Sequence, residues 1–313
     1  MGYWHEIIFV LHIYYFLGIK IYKVNMDSLD LSKLVSGKHL GKNRKIAFFG
    51  DILNISKDSS NTLYWVKENL VSKIDFQNFK GIIITDVFIS GSITQIIVPN
   101  SRLYFSKAIS IIFPELNNDY ISGNVYVGDN LIIGKNVKFG QNVVIEADCV
   151  IGNNVIIEHN SVIKSKTIIG NNIEIGSLVT IGGSGFGYEK DAFGNYKKIT
   201  HYGNVIIEDN VTIGNGVSID RGTINSTKIS ENVKIDNQVH IAHNSNIGKN
   251  TIITAGVIIS GSVNIGNNCW LGPNSVINNK ASLPNNSTLG IGSVLLKKTI
   301  KEGTYFGVPA IKI

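Results

Sequence analysis

The sequence predicts a mainly β protein, a parallel β-helix of six-residue repeats preceded by a small α/β domain. Three observations carry that prediction. An aliphatic residue or Phe recurs every sixth position across most of the chain beyond residue 120. Gly and Asn are in excess, with 32 Gly and 36 Asn among 313 residues. Charged residues make up only 17% against 43% hydrophobic, which excludes an intrinsically disordered chain. Gly and Asn accept positive φ most readily, so their excess predicts many tight corners rather than long helices.

The repeat runs from Ile121 to Ile181, resumes from Ile207 to Ile219, and runs again from Ile229 to Leu295, 26 positions with none polar. A period of six fits neither a helical turn nor strand alternation, but it fits a short strand plus a turn. Three such units close one triangular coil with the aliphatics inward. The small or β-branched residue four positions on, as at Val137, Val155, Val233 and Ser245, fills the corner. Coils stacked ~4.8 Å apart give about nine coils and a prism ~40 Å long. Cys149 and Cys269 both fall on that corner position, so they are expected to be buried and inert. No Cys-x-x-Cys is present, which argues against a zinc site or a disulfide framework and for a reducing compartment.

Four segments follow from these patterns: residues 1–25, 26–118, 119–300 and 301–313. In the first, Ile7 to Ile19 is nearly all apolar. It is too short for a membrane span and lacks the basic start and cleavage site of a secretory signal. It reads as an upstream extension outside the fold, with a membrane-surface anchor or a packed helix as alternatives. In residues 26–118, Gly81 to Thr85 and Gln95 to Val98 read as strands and Ser101 to Phe113 as a helix. Such a domain would cover the open edge that a coil leaves at its end. The repeat breaks at Gly182–Asn204 and again at Asn225–Lys228. Loops thrown out of a rigid scaffold are where binding chemistry sits.

A net charge of +6 suits phosphate-bearing ligands, but no concentrated basic stripe exists, which argues against a nucleic-acid partner. There is no Walker loop, His-Glu-x-x-His or nucleophile elbow, and no metal site is expected. His159 sits in a repeat turn and reads as solvated. His240 and His243 occupy the polar run Asp236-Asn237-Gln238-Val239-His240-Ile241-Ala242-His243-Asn244, and neither is at an inward position. Both can face a groove.

The repeat resembles that of the hexapeptide acyltransferases, whose coils form a left-handed parallel β-helix. The handedness comes from the resemblance, because chain physics alone favours right-handed crossovers. Ser184 to Gly248 is similar to the UDP-3-O-acylglucosamine N-acyltransferase family of lipid A (lipopolysaccharide) biosynthesis. The matching segments are Gly185-Phe186-Gly187-Tyr188, Ile219-Asp220-Arg221-Gly222 and Ile235 to Asn244. Leu63-Tyr64-Trp65 and Asn100-Ser101-Arg102-Leu103-Tyr104-Phe105 resemble its N-terminal domain more weakly.

The resemblance implies His243 as catalytic base and Asp236 as its supporting carboxylate. An amine attacking a thioester must lose a proton, and a neutral imidazole is suited to take it. It further implies substrate-binding roles for Phe186, Tyr188, Asn237, His240 and Lys280, the last standing where the family carries a second histidine. Trp65 would stack on a nucleotide base, or serve as a core aromatic. The implied partners are a nucleotide-linked amino sugar and a thioester donor on acyl carrier protein or coenzyme A, with no permanently bound cofactor. A cytoplasmic homotrimer with grooves between adjacent prisms is implied too. Two alternatives remain open. One is a coenzyme A-dependent N-acyltransferase for an amino-dideoxy sugar of surface polysaccharide. The ending Gly307-Val308-Pro309-Ala310 and the want of the family's C-terminal helix speak for it, with coenzyme A expected as donor. The other is a non-catalytic β-helix scaffold.

Overall fold

The computed structural model describes residues 26–50, 60–77, 79–112 and 124–313. The Ile7–Ile19 stretch and the first repeat position, Ile121, lie outside them. The chain divides into two compact units, one up to Asn118 and one from Asp119.

The second unit is the expected parallel β-helix. Its strands are mostly two or three residues long and fall on three faces of nine, eight and ten strands. The first face begins with Tyr126–Val127, the second with Ile132–Ile133 and the third with Lys138–Phe139. Pairing is in register between like positions, as in Ile145↔Ile163 and Ile253↔Leu271. From Ile145 to Leu295 every inward aliphatic is buried, so the core is one column of Ile and Leu. Cys149 and Cys269 are buried in its corners, and burial pushes both thiols above their ordinary pKa. Val127 and Ile133, also inward by register, are 48% and 46% exposed. They belong to the first coil among the described residues.

The Asn excess resolves into corners. The third residue after an inward aliphatic takes the left-handed conformation, as in Asn136 (φ 57°), Asn154 (φ 55°) and Asn244 (φ 61°). Asn tolerates that region better than other side chains except Gly. It also stacks: Asn136 Nδ2 donates to Asn154 Oδ1 (3.0 Å), and Asn154 Nδ2 to Asn172 Oδ1 (2.9 Å). Ladder partners 18 residues apart become 38 apart across the first break and 22 across the second. The breaks therefore insert loops without disturbing the stack. The second, expected at Asn225–Lys228, occupies residues 221–226, since Thr227 already begins the strand Thr227–Ile229.

Residues 301–313 extend the coil instead of trailing from it. Thr304–Phe306 joins the third face beside Thr288–Leu289, and Ile311–Lys312 folds back on it antiparallel. Buried Tyr305 closes the apolar column.

The first unit holds a five-stranded sheet, ordered Lys38–Leu40, Thr94–Ile97, Ile82–Thr85, Thr62–Val66 and Phe48–Phe49. Only the pairing of the Lys38–Leu40 edge strand is antiparallel. Ile82–Thr85 is buried throughout, as expected of a parallel strand covered on both faces. The predicted helix forms over Ser101–Ile112. Among the described residues no helix is long and apolar enough to cross a membrane.

Candidate active site

Both breaks and His243 share one corner, where the chain passes from the first face to the second. The long excursion leaves after Thr180–Gly183 and returns at Val205–Ile207. One coil on lies the loop 221–226. The next coil carries His243 at the same corner, the next Gly261, and the next Lys280, in register through Ser262 N–H to His243 O (2.9 Å) and Lys280 N–H to Gly261 O (3.0 Å).

The excursion forms a hairpin, Tyr188–Lys190 against Tyr196–Lys198, and both its ends are pinned. Arg221 Nε donates to Gly182 O (2.7 Å), Tyr202 N–H to Thr223 O (2.8 Å), and Asn204 Nδ2 to Lys166 O (3.0 Å). Gly203 and Gly222 both pack onto the Asn225 carbonyl so closely that no Cβ fits. The two breaks are one structure, built around the His243 corner.

His243 has a fixed tautomer. Asn244 Oδ1 accepts from Thr223 N–H (3.1 Å) and Thr223 Oγ1 (2.9 Å), and a backbone N–H can only donate, so this atom is oxygen. His243 Nδ1 lies 3.0 Å from the same oxygen and must be the donor. Its Nε2 is thereby left as the proton acceptor. Gly261 passes beside that nitrogen, with room for no more than a glycine, since a Cβ there would lie 2.8 Å from Nε2. The Gly261 N–H has no hydrogen-bond partner among the described residues.

Three further groups complete the cluster. The His201 ring stands 4.9 Å from that of His243, edge to face, and is only 7% exposed. His240 Nδ1 lies 2.8 Å from Ser218 Oγ, and its Nε2 lies 3.9 Å from Asp220 Oδ2. Burial pushes the Asp220 carboxyl above its ordinary pKa, and nearby His240, His243 and His201 pull it partly back.

The structure does not bring Asp236 to His243 within the chain. Asp236 follows Lys234–Ile235 on the third face and His243 follows His240–Ile241 on the first, so they occupy different corners of the coil. Asp236 is exposed and accepts from the Asn237 N–H (2.7 Å). Asn237 is spent on the corner ladder, accepting from Asn215 N–H (2.7 Å). The carboxylate at the histidines is Asp220, and the group on His243 Nδ1 is Asn244. His201 carries no sequence signal, because its contact with His243 spans 42 positions through a loop outside the repeat. No spacing rule reaches it. Phe186 and Tyr188 project from the excursion with rings 5.1 Å apart, Phe186 being 87% exposed. Lys280 is exposed, two coils from Asn244 in the same corner stack.

In the first unit, Trp65 is half-buried on Thr62–Val66. Just beyond it, at the carboxyl ends of the parallel strands, Lys67, Glu68, Asn69, Asp86, Pro99 and Asn100 line a cavity of about 430 Å³. Asp86 is held there by Glu68 N–H (2.8 Å) and Ser101 Oγ (3.1 Å). Among the described residues no cluster of His, Cys, Asp or Glu has the make-up of a metal site.

Residues 148–183 and 226–261 match the family described as bacterial transferase hexapeptide (six repeats). Residues 204–221 and 262–297 match the hexapeptide repeat of succinyl-transferase. The matched residues all lie in the coil. One curated relative, a UDP-3-O-acylglucosamine N-acyltransferase of Chlamydia pneumoniae, is 48% identical over 63 residues, 20% of this chain and 18% of its own. A second, of the same name, from Helicobacter pylori (strain ATCC 700392 / 26695), is 50% identical over 64 residues, 20% of this chain and 19% of its own. The match thus spans about a fifth of the length of these relatives. Among solved structures, the UDP-N-acetylglucosamine acyltransferase from Campylobacter jejuni aligns with a TM-score of 0.52 at 22% identity, over 60% of this chain and 71% of that one. This likeness shows the fold, a left-handed parallel β-helix.

Proposed function

We propose that the protein is an N-acyltransferase that moves an acyl group from a thioester to the amine of a nucleotide-linked amino sugar. The observation that carries this reading is His243, whose Nδ1–H is held by Asn244 and whose Nε2 is left to accept a proton. The short matches to N-acyltransferases support it.

The attacking amine forms a C–N bond to the thioester carbon and passes a proton to His243 Nε2. Asp220, a half-buried carboxylate among the three histidines, favours the imidazolium that forms. Gly261, whose backbone packs against His243 and whose N–H has no partner among the described residues, would donate that N–H to the oxyanion. Collapse breaks the C–S bond, and His243 returns its proton to the leaving sulfur. His240, Phe186, Tyr188 and Lys280 border the acceptor. The nucleotide is assigned to the first unit, where Trp65 offers an aromatic face and a cavity opens at the strand carboxyl ends, the usual crevice of such sheets. Acyl carrier protein and coenzyme A both remain as donors, and the assembly is a homotrimer with one groove per pair of prisms.

Thioester cleavage measured with both donors across several nucleotide amino sugars tests this. Cleavage that depends on the amino sugar, and falls ~10²- to 10⁴-fold in His243→Ala with nucleotide-sugar binding kept, is the expected result. His240→Ala and Asp236→Asn should cost far less. Near-full turnover in His243→Ala would overturn the mechanism.

A further inference from the structure

We propose that one face of the hairpin, presenting Lys190 and Lys198 among aromatic rings, holds the diphosphate of the acceptor. The proposal rests on the acyl-transfer reading of His243 and locates the anionic half of the acceptor.

Side chains alternate along a two-stranded ladder, so directly paired residues share a face. Tyr188 pairs with Lys198 and Lys190 with Tyr196, whereas Glu189 and Lys197, paired between them, occupy the opposite face. The charges sort accordingly. Lys197 stands across from Glu189, and its Nζ lies 3.5 Å from Asp191 Oδ2. Lys190 Nζ stands 5.3 Å from the centre of the Tyr196 ring. Neither Lys190 nor Lys198 has an ion-pair partner among the described residues. Two exposed cations thus share a face with Tyr188 and Tyr196 and with no carboxylate. Such a face attracts a doubly charged anion.

The face begins beside the base. Ile199 N–H donates to Gly187 O (2.9 Å), carrying the ladder one step past Tyr188 and Lys198. Gly187 packs on the His201 ring, where a Cβ would lie 3.3 Å from Cε1, and that ring stands 4.9 Å from His243. Phe186, its ring 5.1 Å from that of Tyr188, follows Gly185, which packs on both histidines. Lys198 precedes His201 by three residues, at most ~11 Å of chain.

That spacing decides which diphosphate fits. In a sugar with amine and diphosphate on neighbouring ring carbons, phosphorus lies only a few bonds from the nucleophilic nitrogen. The diphosphate of coenzyme A lies a whole pantetheine arm away from its thioester. With the amine at His243 Nε2, the first reaches the root of the hairpin and the second does not. The acceptor is therefore a sugar of that kind, its phosphates meeting Lys198 and then Lys190.

Calorimetry with UDP-glucosamine and with coenzyme A as probes tests this without acyl transfer. Lys198→Gln and Lys190→Gln should each weaken UDP-glucosamine binding roughly 10-fold, with the loss shrinking as salt rises. Coenzyme A binding should not change, and Lys198→Arg should bind UDP-glucosamine nearly as wild type does. Lys197→Gln, on the opposite face, should show no loss. Unchanged UDP-glucosamine binding in the Lys190→Gln, Lys198→Gln double variant would overturn the proposal, as would an equal loss in Lys197→Gln or a wild type that does not bind this sugar. A loss confined to coenzyme A would overturn it too, by putting the donor's diphosphate on the hairpin. Should the binding losses appear in a protein that transfers no acyl group, the acyl-transfer reading fails and the anion site stands.

Discussion

His243 is oriented by an amide, and the nearby carboxylate acts through space. Asn244 is clamped by Thr223 N–H, Thr223 Oγ1 and Thr227 Oγ1, which accepts from the Asn244 N–H (2.8 Å), so the imidazole tautomer follows from the second loop's backbone. Asp220 carries the charge, at a cost. Burial raises its folded pKa above that of the unfolded chain. Its contribution to stability is therefore full below the ordinary carboxylate value and lost as pH rises through the raised one. Asp220→Asn should accordingly melt higher than wild type near pH 7, with the gap closing as pH falls towards ~4. Turnover should drop in the same variant, because the imidazolium loses its stabilising charge. Thermal melts across pH, paired with the thioester assay, check both; a lower melting point at neutral pH would show that Asp220 is a structural ion-pair member instead.

The coil is the element that makes such a site rigid. Its core is one side chain wide, so each inward position is shared only with the coils above and below. Ile253 is fully buried between Ile235 and Leu271. Ile253→Asp should cost about 3–5 kcal/mol, since a carboxylate there has no partner and no route to water. Unchanged denaturant unfolding of that variant would contradict the register. The loops are held by a different device. Arg221 and the glycines at 203 and 222 tie the excursion to the coil, which keeps His201 against His243 although the hairpin beyond is exposed.

At the scale of the molecule, the two units divide the labour proposed for them, nucleotide recognition in the first and acyl transfer in the second. Trp65→Ala should raise KM for the nucleotide sugar while leaving kcat near wild type, as expected for a group that binds without touching the reacting atoms. Steady-state kinetics with the nucleotide sugar varied will show this; a fall in kcat at constant KM would move Trp65 out of the binding role. Sedimentation should give three times the monomer mass, and a monomer with full activity would remove the trimer from the mechanism.

By itself the sequence determined the coil, its register from Ile145 to Leu295, the corner cysteines and the Asn-rich turns. Each of these repeats every six residues, and a rule that local survives without knowledge of distant contacts. It also determined that His243 faces outward, because its place relative to Ile241 is part of that register. Only the tertiary structure decided what His243 touches. Asp236 lies seven positions away but on another corner, because successive units occupy successive faces. Asp220 and Thr223 come from the coil before, and His201 from the far end of an excursion that obeys no period. Register places a residue on a face, and the repeat itself shows how far each break shifts the ladder, whereas which loop side chains fold back onto the coil depends on packing that no period encodes.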